Sequence, residues 1–254
     1  MRRKKLIVAN WKMHPGSMAE ARSLFGKTKR AGSRLEKVET VICPPFAYLG
    51  AFAHGGTSRV FLGAQDVFYS NSGRATGEVS PEMLRDLGVT HVIVGHSERR
   101  ALGETNELVA RKAVAVLAEG MQAIVCIGEK ERDEGGAFYE TLKVQLKESL
   151  QGIARRFFID LIIAYEPLWA IGKSAKEAST PKDVQEMSIF IRKVLTDLYG
   201  KEAAQQPSVL YGGAVEEENA GAILSSGGVQ GLLVGHKSLD AEAFARILKS
   251  ANAV

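Results

Sequence analysis

The stretch IDLIIAYEPLWAIGKS, residues 159–174, decides between two folds. Its tail, Gly172-Lys173-Ser174, ends like a nucleotide-binding loop. That loop needs another glycine five residues earlier, so that a flexible turn can wrap backbone N–H groups around phosphates. Position 167 is proline, which has no N–H and fixes φ, so the cradle cannot form. The stretch reads instead as a buried strand whose apolar residues, Leu161 to Tyr165, stop at Glu166.

Working outward, seven more runs share that character: KLIVANWK, VETVICPP, RVFLGAQD, VTHVIVGH, MQAIVCIG, PSVLYGG and VQGLLVGH. Each is short, rich in Val and Ile, and ends at Gly, Pro or a polar residue, as buried strands do. Segments with helical spacing separate them. AEARSLFGKTKRAG is read as capped by Gly32, and NELVARKAVAVLAEG by Gly120. TPKDVQEMSIFIRKVLTDLYG has an N-cap at Thr180, Pro181 in its first turn and Gly200 past its end. Strands alternating with helices pair in parallel through right-handed crossovers. Eight such units predict an α/β chain forming a single closed (β/α)8 barrel domain, residues 1–254. No Gly-x-Gly-x-x-Gly opens the first helix, which argues against an open dinucleotide-binding sheet.

Composition narrows the function. Of the 254 residues, 45% are hydrophobic and 24% charged, which allows a large core and a polar surface together. The net charge of +4 arises from Lys and Arg scattered among acids. No basic block is present, which argues against a nucleic-acid surface, while a small anionic substrate fits. Cys43 and Cys126 sit inside apolar runs and read as buried free thiols. The start, MRRKKLIVANWKM, is basic, but its apolar run from Leu6 to Ala9 is too short for a signal peptide. No run approaches a membrane span. The expectation is a cytoplasmic protein with no membrane or nucleic-acid partner.

In a barrel the site forms where strands end and the following loops begin, so polar residues at those ends are the candidates. Asn10 and Lys12 end the first strand with the inward parity of Leu6 and Val8, which would aim Lys12 into the mouth. A lysine buried there needs an anionic partner, although a lysine snorkelling outward has the same spacing. Gln65 ends the third strand. His96 follows the fourth, and the helix opening at SERRAL would favour a neutral imidazole; a structural histidine is the alternative. The histidines His14, His54, His91, His96 and His236 show no metal-ligand spacing. Glu166, after five apolar or aromatic residues, is costly unless used or paired, and burial would raise its pKa toward that of a general base. Trp169 could cover a site or simply pack. Gly172, Gly212-Gly213 and Gly235 stand at neighbouring strand ends, where backbone N–H groups suit phosphate.

These residues lie in motifs, NWKM, GAQD, TGEVS, VGHSERR, VCIGE, AYEPLWAIG and YGGAV, whose order and spacing resemble the triosephosphate isomerase family from residue 6 to about 240. The resemblance implies a TIM barrel, a triose phosphate substrate and neither metal nor cofactor. It implies that Glu166 is the base, His96 the neutral electrophile, Lys12 the positive charge and Asn10 an orienting group. Glu98 is similar to the family's buried acid near that lysine. Phosphate contacts would come from Asn10, Lys12, Gly172, Gly213, Ala214, Gly235 and His236, with Pro167, Trp169 and Tyr211 serving loop closure. The loop DVFYSNSGRATGEVS, residues 66–80, would enter a second subunit, with Thr76 near the partner's site, making a homodimer. The sequence departs from the family at Lys173-Ser174, in a longer loop before Thr180, at Ala214 in place of serine, and at His236-Lys237 where a second glycine is usual. The family's loop glycine appears here as Ser174 or is displaced by the insertion, and its serine is Ala214, so both halves of one expected latch of the closed loop are absent together. A non-catalytic phosphate-binding barrel is the competing reading; it predicts loss of Glu166 or His96, and both are present.

Overall fold

A computed structural model describes residues 4–170, 172 and 179–254. The expected Lys173 and Ser174 departures, and with them half of the latch, lie outside these residues. Eight strands close into one parallel barrel in sequence order: β1 (Lys5–Asn10), β2 (Val38–Cys43), β3 (Val60–Ala64), β4 (Val89–Val94), β5 (Gln122–Ile127), β6 (Leu161–Tyr165), β7 (Ser208–Tyr211) and β8 (Gly231–Val234). Each matches one of the eight apolar runs. Closure is direct, because β1 pairs with both neighbours: Val8 stands opposite Val41 on one side and Leu233 on the other.

Alternation along each strand feeds two cores. Leu6, Val8, Val41, Ile93, Ile124, Ile162, Leu210 and Leu233 fill the barrel interior together with Cys43 and Cys126. Ile7, Ala9, Ile42, Val92 and Val125 pack outward against the helices. Both faces are therefore dry, which is why the strands read as unbroken apolar runs. Both cysteines are free and buried.

The helix Pro181–Tyr199 begins with the predicted Thr180 cap, doubled by Asp183 in a capping box, and ends at Gly200 with φ 88°. The helix Met18–Gly32 corrects one expectation: Gly32 is its last residue, and Ser33 is the cap. A Cβ at position 32 would come within 2.8 Å of Thr40 Oγ1 and 2.9 Å of Val60 Cγ2. Close packing of the helix on β2 and β3 requires that glycine. No helix among the described residues is long and apolar enough to cross a membrane.

Candidate active site

The strand ends converge at the barrel's C-terminal mouth on a cavity of about 350 Å³. Its wall brings together Asn10, Lys12, His96, Glu166, Gly172, Gly212, Gly213, Ala214, Gly235 and His236, all singled out in the sequence, with Glu216, Leu233 and Lys237. A larger cleft of about 670 Å³ beyond Glu166 shares only that residue with the predicted set.

Glu166 leaves β6 at a sharp corner. Its N–H donates to Ile127 O at 2.7 Å, Gly212 N–H donates to Tyr165 O at 2.8 Å, and Pro167 follows. The carboxylate is buried, with 2% of the residue exposed. Its Oε2 accepts from the backbone N–H of Ser97 at 3.1 Å, and its Oε1 faces His96 Nε2 at 3.1 Å. Among the described residues its ion-pair partner is this histidine, not the arginine that a purely structural glutamate would need. Gly212 makes room: a Cβ there would stand 3.0 Å from Glu166 Cγ.

His96 caps the short helix Ser97–Ala101, and its Nδ1 accepts from Glu98 N–H at 3.2 Å. That bond needs a lone pair on Nδ1, which leaves the ring proton on Nε2, facing Glu166. Burial lowers the pKa of the ring, while the Glu166 carboxylate and Glu98 raise it; the net is upward from the ordinary value. The upward pull belongs mainly to Glu166, so it weakens if that carboxylate moves off the ring. The backbone just before it is pinned at both polar groups of Gly95: Glu104 Oε2 accepts from Gly95 N–H at 2.9 Å, and Arg100 Nε donates to Gly95 O at 2.8 Å. Glu104 is paired in turn with the buried Lys112, which also holds Asp66 at 2.6 Å.

Lys12 reaches the mouth by a route the strand parity missed. β1 ends at Asn10, and Lys12 sits in a left-handed turn with φ 53°. Asn10 Oδ1 accepts from Lys12 N–H at 3.0 Å, and Gln65 Nε2 donates to Lys12 O at 2.8 Å. Such a conformation is costly for a side-chain-bearing residue and persists only where neighbours hold it. The ammonium bonds Glu98 at 2.6 Å. Glu98 corrects a second expectation: its side chain is 58% exposed, not buried, because it lies in the first turn of a helix that starts at the rim. Gly235 lets β8 approach, since a Cβ there would stand 3.3 Å from Lys12 Cε.

The residues expected to serve closure lie outside the cavity wall. Leu168 N–H donates to Glu129 O at 2.9 Å, and Trp169 Nε1 donates to Glu129 Oε1 at 2.8 Å. Trp169 is thus half-buried against the β5 side, with the Arg132 guanidinium 5.2 Å from its ring centre. Tyr211 is fully buried, and its hydroxyl lies over Gly213 with Ser179 beside it. Burial pushes its pKa up, against the effect of Ser179. Thr76 is exposed in the 66–80 loop and does not line the cavity.

Sequence reasoning missed the Ser97 N–H, the Glu104–Lys112 anchor and the Glu129 partner of Trp169. The first was findable, because the first N–H groups of a helix have no partner within it. Among the described residues no group of three or more His, Cys, Asp or Glu is placed to hold a metal ion. What the site does offer is a buried carboxylate, a ring N–H, an ammonium and a small cavity, the parts required to move a proton between adjacent carbons of a small anion.

A sequence model of the family described as Triosephosphate isomerase matches residues 5–251. Curated relatives named triosephosphate isomerase agree along nearly their full length. One from Dehalococcoides mccartyi (strain BAV1) is 44% identical over 252 residues, covering 98% of this chain and 97% of that protein. One from Thermoanaerobacter sp. (strain X514) is 40% identical, covering 97% and 99%. One from Citrifermentans bemidjiense is 43% identical, covering 97% and 98%.

Proposed function

The chain belongs to the triosephosphate isomerase family, and from that premise we propose how its mouth residues divide the reaction. The chain is an isomerase that interconverts dihydroxyacetone phosphate and D-glyceraldehyde 3-phosphate by proton transfer through an enediolate, a step of glycolysis and gluconeogenesis. In our reading Glu166 removes the proton beside the carbonyl and returns it to the next carbon. His96 donates its Nε2 proton toward the carbonyl oxygen as charge develops there, and Lys12 adds positive charge close by. Asn10 holds the Lys12 turn and orients substrate oxygens; Glu98 is the resting counter-ion of Lys12. Gly172, Gly213, Ala214, Gly235 and His236 receive the phosphate. Pro167, Trp169 and Tyr211 serve closure, which excludes water from the enediolate. No metal or cofactor takes part in this reading.

One observation carries it: a buried carboxylate at the cavity wall, beside the Cys126 thiol, held by the Ser97 N–H and facing an imidazole that substrate can replace. The whole chain acts as one barrel domain, works in the cytoplasm, and pairs as a homodimer through the 66–80 loop. Support for pairing comes from residues 71–74 and 76–78, all exposed, and from Met13, 90% exposed beside Lys12. The deciding measurement is a coupled assay with glyceraldehyde 3-phosphate on the parent and on Glu166→Gln. The variant keeps the shape and loses the proton acceptor, so turnover should fall by about 10²- to 10⁴-fold. Near-normal turnover in Glu166→Gln would remove Glu166 from the role.

A further inference from the structure

The cavity wall holds a second lysine that the reaction described above does not use. Lys237 stands two residues past Gly235, on the same wall as Lys12, Gly213 and Ala214. Its Nζ is 3.8 Å from Glu216 Oε1, outside hydrogen-bond distance, and the two side chains are 33% and 27% exposed. The partner, Glu216, also lines the cavity. The segment that carries it is fixed independently of Lys237: Asn219 Oδ1 accepts from Glu216 N–H at 2.9 Å, and Asn219 Nδ2 donates to Ala214 O at 2.8 Å.

The two cations of the cavity are therefore held differently. Lys12 is hydrogen-bonded to Glu98 at 2.6 Å, and Gln65 and Asn10 hold its backbone. Lys237, on a long, flexible stem, has two acidic neighbours that act by charge, Glu216 at 3.8 Å and Asp240. Across the cavity Ala214 presents a methyl group, so its side chain offers an anion nothing. A phosphate dianion entering here gains most from a half-desolvated ammonium that is not already committed.

We propose that Lys237 is a phosphate ligand of the substrate: its ammonium moves from Glu216 to the phosphate on binding, and Glu216 takes it back on release. The proposal rests on the reading of this cavity as the triose phosphate site. It predicts a signature in binding, because the contact forms at the phosphate in ground and transition states alike.

The test uses Lys237→Met, Lys237→Arg and Glu216→Gln, each assayed with glyceraldehyde 3-phosphate and with inorganic phosphate as competitive inhibitor. A charge-assisted contact translates to about 10- to 150-fold. In Lys237→Met, KM and the phosphate inhibition constant should rise together by about that factor, with kcat changing less than about threefold. Lys237→Arg should stay near the parent. Glu216→Gln should lower both constants, since it removes the carboxylate that competes with phosphate. That variant keeps the proposal testable if Lys237→Met does not fold. KM and phosphate inhibition unchanged in Lys237→Met would overturn it, as would weaker phosphate binding in Glu216→Gln, which would mark a purely structural pair. A parent with no isomerase activity would instead bring down the reading on which the proposal rests.

Discussion

Two histidines stand at strand ends in the same Val-Gly-His context, His96 after β4 and His236 after β8, and their surroundings separate them. His96 is buried and fixed on both ring nitrogens, by Glu98 N–H and by Glu166. His236 is exposed. His96→Gln should therefore cost mainly turnover, while His236→Gly should change KM at most modestly; the reverse pattern in steady-state kinetics would exchange their roles. A second expectation concerns the His96 pKa. The carboxylate of Glu166 is the chief cause raising it, against burial and Lys12, which lower it. In Glu166→Gln the ring should titrate at lower pH than in the parent, measured from imidazole resonances by NMR. An unchanged or higher value would mean that Glu166 is not what holds the proton on the ring. Glu166 was legible in the sequence because a carboxylate closing an apolar run is expensive. Ser97, which holds that carboxylate, was not, because the donor is a backbone group that any residue supplies.

At the scale of the strand, β4 carries a buried titratable group away from the mouth. His91 shares the inward parity of Ile93, lies 5.6 Å ring to ring from Phe61, and has its Nδ1 2.7 Å from Thr90 Oγ1. Burial lowers its pKa from 6.5 to about 4, with Gln122 opposing. The unfolded chain therefore binds this proton more readily than the folded one. The stability it contributes is intact above pH 6.5 and is lost as pH falls toward 4, by up to about 3 kcal/mol. His91→Gln should lose less stability than the parent between pH 7 and pH 4.5 by about that amount, read from urea unfolding midpoints. Equal losses in both would assign the acid sensitivity to other groups. Strand positions were readable because both faces of a closed parallel sheet are dry. What strand periodicity could not give was anything past the last strand residue. The φ of 53° at Lys12 breaks the two-residue parity, so the parity argument named the right residue for the wrong geometric reason. Trp169 escaped similarly, since its partner Glu129 belongs to a different loop 40 positions away.

For the molecule as a whole, the 66–80 loop is tied at its base to the strand end that carries His96. Asp66 at its base pairs with Lys112, which pairs with Glu104, which holds the N–H of Gly95 next to His96. Phe68 N–H bonds Val79 O at 2.8 Å and closes the loop's neck, leaving its tip exposed. If that tip docks in a second copy, Thr76→Arg should bury an unpaired charge in the interface. Sedimentation should then show a shift from dimer to the 27.5 kDa monomer, with a fall in turnover. A parent that sediments as a monomer at micromolar concentration would end the pairing reading. The filled barrel interior has a further consequence, for traffic. Leu6, Val8, Ile93, Ile124, Ile162 and Leu210 plug the axis below the mouth, so among the described residues nothing passes through the barrel and traffic uses the mouth. An arriving aldose and a departing ketose cannot pass each other there. Each must leave before the other enters, and each therefore obstructs the other's reaction competitively, whichever way the flux runs.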